Sequence, residues 1–331
     1  MRARRHPLLL PILIGLTFVA ALGSIALGAV ALSPARILAV FAGGGDEVAR
    51  AIVIDLRLPR MLLGLIVGAM LGLAGASLQG YLRNPLAEPS VLGASNAAAL
   101  GAVGAIYFGL SQLHPVILPA LAIMSSLIAI AVLFMLAGPS ESPLTLILAG
   151  IAVGTLAGAG ISLSLNLSPN PFAAMEIMSW LMGSLENRSY AHVWIALPCV
   201  IVGAALLMAD GRTLDALTLG EEGAQALGAD LSMTRLRIML GVAIGVGGAV
   251  AVSGAIGFVG LIVPHLVRPL TDRSPSAILL PSLLGGAALL TLADIGVRLI
   301  PTSNELKLGV LTAILGVPVF LVHLMRERRL W

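Results

Sequence analysis

The residue types that most often carry out chemistry are few and scattered in this chain. No two of its five histidines stand three or four residues apart, so the sequence predicts no metal site on a helix face. His265 follows Pro264 in a glycine-punctuated apolar run and is interpreted as structural rather than as a haem or metal ligand. Cys199 is the only cysteine, which excludes an intrachain disulfide and favours a packing role. The phosphate loop G-x-x-x-x-G-K-[ST] is missing, as is any nucleophile–base constellation. We therefore expect no enzyme activity and no cofactor or metal bound by this chain, with any ATP and Mg held by another subunit.

Three arginines have a spacing suited to the recognition of carboxylates. Arg57-Leu-Pro-Arg60 holds two guanidinium groups around Pro59, just before an apolar run. These side chains either anchor a helix at the membrane interface or dock carboxylates of an external partner. Asp294 and Arg298 share a helix face, and an Asp this far into an apolar run is expensive unless it is paired. An Asp294–Arg298 ion pair is therefore expected, and Arg298 could also join the other two arginines.

Two polar segments interrupt the apolar runs. In the stretch from Gln79 to Gly93, Pro85 and Pro89 break helicity, which fits either an ordinary turn or a gate at the inner end of a pathway. The stretch from Leu219 to Leu231 mixes small apolar residues with acids and glycines. It fits either a solvated loop or a knob that inserts into a partner protein.

Composition sets the class of the protein. Of 331 residues, 58% are hydrophobic and 11% charged, whereas soluble domains carry roughly 25% charged residues. The mean hydropathy is +1.04. Each membrane helix needs roughly 20 apolar residues, and the sequence divides into about ten such runs. They cover residues 8–31, 61–80, 92–110, 115–137, 144–166, 190–209, 235–253, 257–270, 277–298 and 307–325. The fold class is thus predicted to be an all-α integral membrane protein of about ten transmembrane helices, in a single domain over residues 1–331.

Further features refine this prediction. The eighth run is short and glycine-rich, so it is expected to be bent or partly re-entrant, and a short helix is predicted at Pro171–Gly183. Residues 33–60 are predicted to be a loop on the outside, and residues 210–234 a cytoplasmic segment with two short helical patterns. The net charge is +3, but the chain has no basic cluster with interleaved aromatics, so no nucleic-acid partner is expected.

The arginine distribution predicts the orientation. With the N-terminus inside and an uncleaved first helix, twelve of the 19 Lys and Arg residues fall inside and seven outside. This favours both termini in the cytoplasm. The outside positive residues are Arg36, Arg50, Arg57, Arg60, Arg188, Arg298 and Lys307.

The motifs together resemble one family, the FecCD-type permeases of type II ABC importers, which carry ferric siderophores, haem and vitamin B12. The resemblance runs in order over roughly residues 50 to 325. It rests on Arg57-Leu-Pro-Arg60, Arg83-Asn-Pro-Leu-Ala87 within the Gln79–Gly93 stretch, Trp180-Leu-Met-Gly-Ser-Leu185, Leu219–Gly228, Ile256-Gly-Phe-Val-Gly-Leu-Ile-Val-Pro-His265, Ala293-Asp294 with Arg298, and Leu308–Phe320. Where the family usually has Gly-Pro-Ile-Gly and Glu-x-Pro-Val-Gly, this chain has Gly254-Ala-Ile-Gly257 and Glu305-Leu-Lys-Leu-Gly309.

The resemblance implies roles for particular residues. It implies a vitamin B12 importer permease-like fold and a dimer of permeases, homodimeric or heterodimeric. Two ATPase subunits and an extracytoplasmic substrate-binding protein are the further expected partners, in the lipid of the bacterial inner membrane. The residues carried over are Arg57, Arg60 and Arg298 for docking the binding protein, Asn84 and Leu86 for the cytoplasmic gate, and Glu221, Ala224, Leu227 and Gly228 for coupling to the ATPase.

The expected function is import of an iron chelate by alternating access, with a ferric siderophore favoured over haem or a corrinoid. One alternative is an ion- or proton-coupled secondary transporter, for which Asp294 is the only good candidate relay. Another is a membrane assembly subunit that transports nothing.

Overall fold

The protein is all-helical throughout the part that the computed structural model describes, which is residues 7–138, 143–301 and 305–327. In chain order the helices are α1 (Leu9–Ala26), α2 (Pro34–Phe41), α3 (Glu47–Arg50), α4 (Leu58–Tyr81), α5 (Ala94–Tyr107), α6 (Ile117–Ala137), α7 (Pro143–Asn166), α8 (Pro171–Leu181), α9 (Tyr190–Ala209), α10 (Gly211–Ala216), α11 (Glu221–Ala226), α12 (Leu231–Ser253), α13 (Val259–Val267), α14 (Pro275–Leu299) and α15 (Leu308–Glu327). The predicted all-α membrane fold is confirmed.

The helices that cross the membrane coincide with the predicted apolar runs. Within the described residues, seven helical stretches are long and apolar enough to span a bilayer, and they contain α1, α4, α6, α7, α9, α12 and α14. Three shorter apolar helices, α5, α13 and the apolar part of α15, occupy the other three runs. The short helix predicted after the fifth run is α8.

Helices α4 and α14 pack closely against each other along their length. A Cβ added at Gly68 would collide with the carbonyl oxygen of Gly286, and one added at Gly72 with that of Ser282. Small residues at such a contact let two backbones approach, which is the main source of helix association where lipid is as apolar as the side chains. The pair is therefore expected to move as one body.

Cys199 has the packing role that its apolar setting predicts. It lies on α9 against α12, where its Cβ and Sγ fill the space beside Gly248. Gly203 on α9 meets the backbone of Gly245 on α12 in the same way.

A break in the helix precedes the eighth apolar run, which the sequence predicts to be bent or partly re-entrant. Helix α12 ends at Ser253, and residues 254–258 are not helical before α13 begins. Gly254 and Phe258 both have left-handed φ angles, of 71° and 68°. With nine residues, α13 is about 14 Å long, too short to cross a bilayer core of about 30 Å.

The prediction of a loop for residues 33–60 was wrong. This segment contains α2, α3 and a π-helical stretch, Ala51–Arg57, that runs directly into α4. The Ser33 side chain caps α2 by accepting from the Arg36 N–H, and Pro34 occupies its first turn. Ile37, Val40, Ala49 and Val53 form a small apolar cluster. The polar composition of the segment concealed this local core.

Candidate functional site

The predicted site residues lie at the two opposite ends of the α4–α14 pair. The helices are antiparallel, since Gly64 near the start of α4 contacts Thr291, and Gly80 near its end contacts Pro275. We call the end with Arg57, Arg60 and Arg298 the arginine end. The coupling end is the one with residues 82–93 and 210–230.

At the arginine end, Arg57 and Arg298 bind the C-terminal end of α1. Arg57 is 5% exposed and donates to the carbonyls of Ile25 at 2.7 Å, Ala26 at 2.9 Å and Val30. Arg298 donates to the Ser24 carbonyl at 3.0 Å. Carbonyls at a helix C-terminus carry partial negative charge and lack intrahelical partners, so two guanidinium groups satisfy them.

Arg60 and Arg298 share the buried carboxylate of Asp294. Asp294 is 1% exposed and lies 2.8 Å from Nη2 of Arg60 and 3.2 Å from Nε of Arg298. The predicted Asp294–Arg298 pair is thus confirmed. Glu305, just before α15, also accepts from Arg60, with Nη1 to Oε2 at 3.0 Å. Sequence reasoning missed the Arg60 pairs, because their partners stand 234 and 245 residues further along the chain.

A cavity of about 580 Å³ opens at the arginine end. Four arginines and two glutamates line it, so the ionised side chains leave a net positive charge. The lining includes Arg57, Arg60, Arg188, Arg298, Glu186 and Glu305. The structure thus brings the three predicted docking arginines together, and it adds Arg188, to which sequence reasoning gave no role beyond that of an outside charge.

At the coupling end, Asn84 and Leu86 lie in a tight turn. The Asn84 side-chain oxygen accepts from the Leu86 N–H at 2.9 Å, and the Asn84 carbonyl accepts from the Ala87 N–H at 3.1 Å. Arg83 has a left-handed φ of 48° at the start of this turn. Leu86 is exposed, so the turn presents an apolar side chain away from the chain's own core.

The segment at 210–234 contains two short helices, α10 and α11, as the sequence predicts. Leu227 just after α11 is 68% exposed, whereas Ala224 is fully buried against the body of the protein. Gly228 has a φ of 84°, which favours glycine, and no atom lies within 4 Å of the place where a Cβ would be. Exposed Leu219 and Leu227 therefore give this segment an apolar surface without a partner in the described chain.

Polar contacts join this segment to neighbouring elements. Arg83 lies 3.6 Å from Glu221 in an ion pair between the 83–87 turn and α11. Asp215 on α10 accepts from the backbone N–H of Ser276 at 2.8 Å and from its hydroxyl at 2.6 Å. Asp215 thereby caps the start of α14, whose other end carries Asp294 and Arg298.

The residues that could hold a metal do not converge in the described ranges. There, no three His, Cys, Asp or Glu side chains group as metal ligands would. Nδ1 of His265 lies 3.2 Å from the Leu261 carbonyl of its own helix.

With this geometry in view, the similarity to known proteins is informative. A model of the FecCD transport family matches residues 16–326. The chain belongs to this family. It is 42% identical over 288 residues to the cobalamin import system permease protein BtuC of Halobacterium salinarum, covering 86% of this chain and 76% of that one. It is 40% identical over 278 residues to the Fe(3+) dicitrate transport system permease protein FecD of Escherichia coli, covering 84% and 86%.

The fold of this FecCD-family chain also matches a solved structure. An ABC transporter described as of metal-chelate type, in an inward-facing conformation, superposes with a TM-score of 0.85 at 31% identity. The match covers 96% of this chain and 99% of the other. The chain is therefore a multi-pass membrane permease subunit of an ABC importer and not an enzyme, and ATP hydrolysis belongs to a separate subunit.

Proposed function

We propose that this permease imports an iron chelate across the cytoplasmic membrane, with a ferric siderophore favoured over haem or a corrinoid. Its partners are a second permease subunit, identical or homologous, two ATPase subunits that hold ATP and Mg, and an extracytoplasmic binding protein. Both termini lie in the cytoplasm, so the arginine end faces outward and the coupling end faces the ATPases. The chain itself needs no cofactor.

The observation that carries this proposal is the connection between the two ends. Helix α14 is about 37 Å long at 1.5 Å per residue over 25 residues, with the Asp215 cap at its first turn and the Asp294–Arg298 pair near its other end. Because α14 packs against α4, Arg60 lies beside it at the arginine end and the 83–87 turn lies near it at the coupling end. A rigid helix pair with a polar cluster at each end is suited to pass conformational changes from one side of a membrane to the other.

The charge at the arginine end suits a partner that presents carboxylates. Arg57, Arg60 and Arg298 form part of a cavity wall with net positive charge. Their own bonds fix their positions, and bidentate contacts between guanidinium groups and carboxylates are strong and directional. Such a partner would dock without a deep apolar interface.

The surface at the coupling end suits a protein groove. Two exposed leucines flank α11, and Glu221 joins α11 to the Arg83 turn. Closure of two ATPase subunits would shift α11, and the Arg83–Glu221 contact would pass this shift to Asn84 and Leu86. The pathway would then switch between outward and inward openings by movement of packed helices.

The proton-coupled alternative loses its main support, because Asp294 is bound to two arginines. Two guanidinium groups bonded to this carboxylate make it part of a structural ion pair, which is the interpretation that the sequence offered beside that of a relay.

The coupling role is tested with Leu227→Glu, which places a charge on the exposed apolar surface without affecting Gly228 and its left-handed backbone. We expect the complex to lose transport and transport-stimulated ATP hydrolysis, while the permease itself folds. Leu113→Glu is the matched control, since Leu113 is similarly exposed, at 74%, but lies at the arginine end. Normal coupling in the Leu227 variant would exclude this segment as the ATPase contact.

The cargo is tested on the cognate binding protein, titrated calorimetrically with a ferric siderophore, haem and cobalamin. Binding of cobalamin or haem alone would overturn the siderophore assignment and leave the permease role intact.

A further inference from the structure

The segment from Trp180 to Arg188 begins with the family motif at Trp180–Leu185, but nothing described above gives it a function. It links α8 to α9 at the arginine end. Arg188 lines the cavity of about 580 Å³ and also a neighbouring cavity of about 250 Å³. Trp180, Glu186 and Lys307 line the smaller cavity with it.

Arg188 differs from the other three arginines of the large cavity. Each of those bonds to a carboxylate or to helix-end carbonyls within the chain. For Arg188, the described residues supply only a 3.5 Å contact between Nη1 and Nε2 of His192, and its buried Nε has no hydrogen-bond partner. The nearest acid in sequence, Glu186, binds Lys307 at 2.9 Å instead. Burial lowers the pKa of Arg188 below its ordinary value, and Glu186 offsets this only in part.

A second hydrogen-bond donor at this place also lacks an acceptor. The indole N–H of Trp180, on the wall of the smaller cavity, is buried and has no partner in the described chain. Buried donors are nearly always satisfied, so two orphans on one cavity wall point to an acceptor from outside the chain. A guanidinium and an indole N–H, both donors only, select a carboxylate.

The segment that carries these donors is bonded to the interruption between α12 and α13. The Ser184 N–H donates to the Ser253 carbonyl at 2.7 Å, and the Gly309 N–H, at the start of α15, contacts the Gly183 carbonyl at 3.4 Å. A displacement of Arg188 would therefore be passed to the C-terminal end of α12, beside the non-helical stretch, and to the start of α15.

We propose that Arg188, assisted by the Trp180 indole N–H, receives a carboxylate side chain of the extracytoplasmic binding protein. This second docking point is separate from Arg57, Arg60 and Arg298. It rests on the proposed function, which supplies the orientation and the partner. The cavity lies among segments that follow α1, α8 and α14 at the end of the bundle, so the lining faces a partner above the membrane and not the lipid tails.

The test measures the affinity of the chelate-free binding protein for the assembled transporter in lipid discs. Arg188→Gln should weaken binding roughly tenfold, the effect of losing one charge-assisted hydrogen bond, and should flatten its salt dependence. Arg188→Lys should restore part of the affinity, because the charge returns without the planar fork. Trp180→Phe keeps the ring and should weaken binding about threefold, as expected for one neutral hydrogen bond. Arg36→Gln is the control, because Arg36 is already paired with Asp46 at 2.7 Å, and it should leave affinity unchanged.

The possible outcomes separate this inference from the proposed function. Wild-type affinity in both Arg188→Gln and Trp180→Phe would overturn the docking point while the transporter assignment stands. An effect seen only with the chelate-loaded binding protein would also overturn it, because the carboxylate would then belong to the cargo. Failure of the wild-type transporter to bind any such protein would instead count against the proposed function. If Arg188→Gln does not assemble, the Trp180→Phe variant, which leaves the charge of Arg188 in place, decides.

Discussion

Asp294 is the residue on which the arginine end depends. It is the carboxylate shared by Arg60 and Arg298, and Arg298 in turn binds the end of α1. Without it, two guanidinium groups would face each other with only Glu305 to offset their charge. The same residue thus fixes the positions of two of the proposed docking arginines and holds three helices together.

Replacement of Asp294 by Asn tests this dependence. Removing one partner from a buried ion pair typically costs about 3–5 kcal/mol, because the other charges stay buried and uncompensated. We expect a clear fall in the thermal unfolding temperature of the purified protein in detergent. Asp46→Asn is the matched control, because the Arg36–Asp46 pair is about half exposed on both sides, and it should cause no measurable change. Equal stability of the two variants would contradict a structural role for Asp294.

Among the elements, α4 and α14 depend on glycine for their close contact. Gly68→Ala would drive a Cβ into the Gly286 carbonyl, and the backbones would have to separate. Overpacking of this kind costs typically about 1–3 kcal/mol. Gly158→Ala in α7 is the control, because no atom lies within 4 Å of its added Cβ, and alanine favours a helix over glycine. In unfolding by denaturing detergent, Gly68→Ala should be less stable than wild type, and Gly158→Ala should be at least as stable as wild type. The reverse ranking would mean that α4 and α14 are not tightly packed.

The elements also show what a single sequence can predict. The apolar runs were predictable because bilayer thickness sets a minimum length for each, and the short eighth run was recognisable by its glycines. The helices within residues 33–57 could not be predicted in this way, because polar residues separate the members of their small apolar core in the sequence. That core consists of Ile37, Val40, Ala49 and Val53.

Side-chain partners were harder to predict than elements. Asp294 with Arg298 follows from helical spacing, whereas Arg60 with Glu305, and Arg57 with the end of α1, depend on how distant helices pack. The family motif pointed to the arginines, but only coordinates could reveal that each is already bonded within the chain.

At the scale of the whole molecule, the first question is which end faces outward. The positive-inside count over the whole chain predicts that the arginine end faces outward. It does so even though several arginines are concentrated at this end. With Cys199 replaced by Ala, we expect Gly44→Cys, between α2 and α3, to react with a membrane-impermeant maleimide in intact cells. Glu222→Cys on α11 should react only after the cells are opened. Both positions are exposed, so access alone should decide the labelling. The reverse pattern would invert the assignment of both ends.

The second question is whether α14 carries movement between the ends. The Asp215 side chain makes two hydrogen bonds to Ser276 and is the main polar link from α10 to this helix. Asp215→Ala removes both, at a cost typical of a lost helix cap, about 0.5–2 kcal/mol. We expect the variant to assemble and to keep basal ATP hydrolysis, while stimulation of hydrolysis by the binding protein falls severalfold.

A control variant is needed to show that the loss of stimulation in Asp215→Ala is not caused by lower stability alone. Asp230, in the same 210–230 segment, caps α12 by accepting from the Met233 N–H at 2.9 Å. Asp230→Ala therefore removes one helix cap from this segment, but from a helix that carries none of the proposed docking arginines. We expect it to keep stimulation by the binding protein. If both variants lose stimulation equally, the segment as a whole is merely weakened. If only Asp215→Ala loses it, the signal from the arginine end passes through the contact between α10 and α14, because Asp230 caps its own helix whereas Asp215 joins two helices.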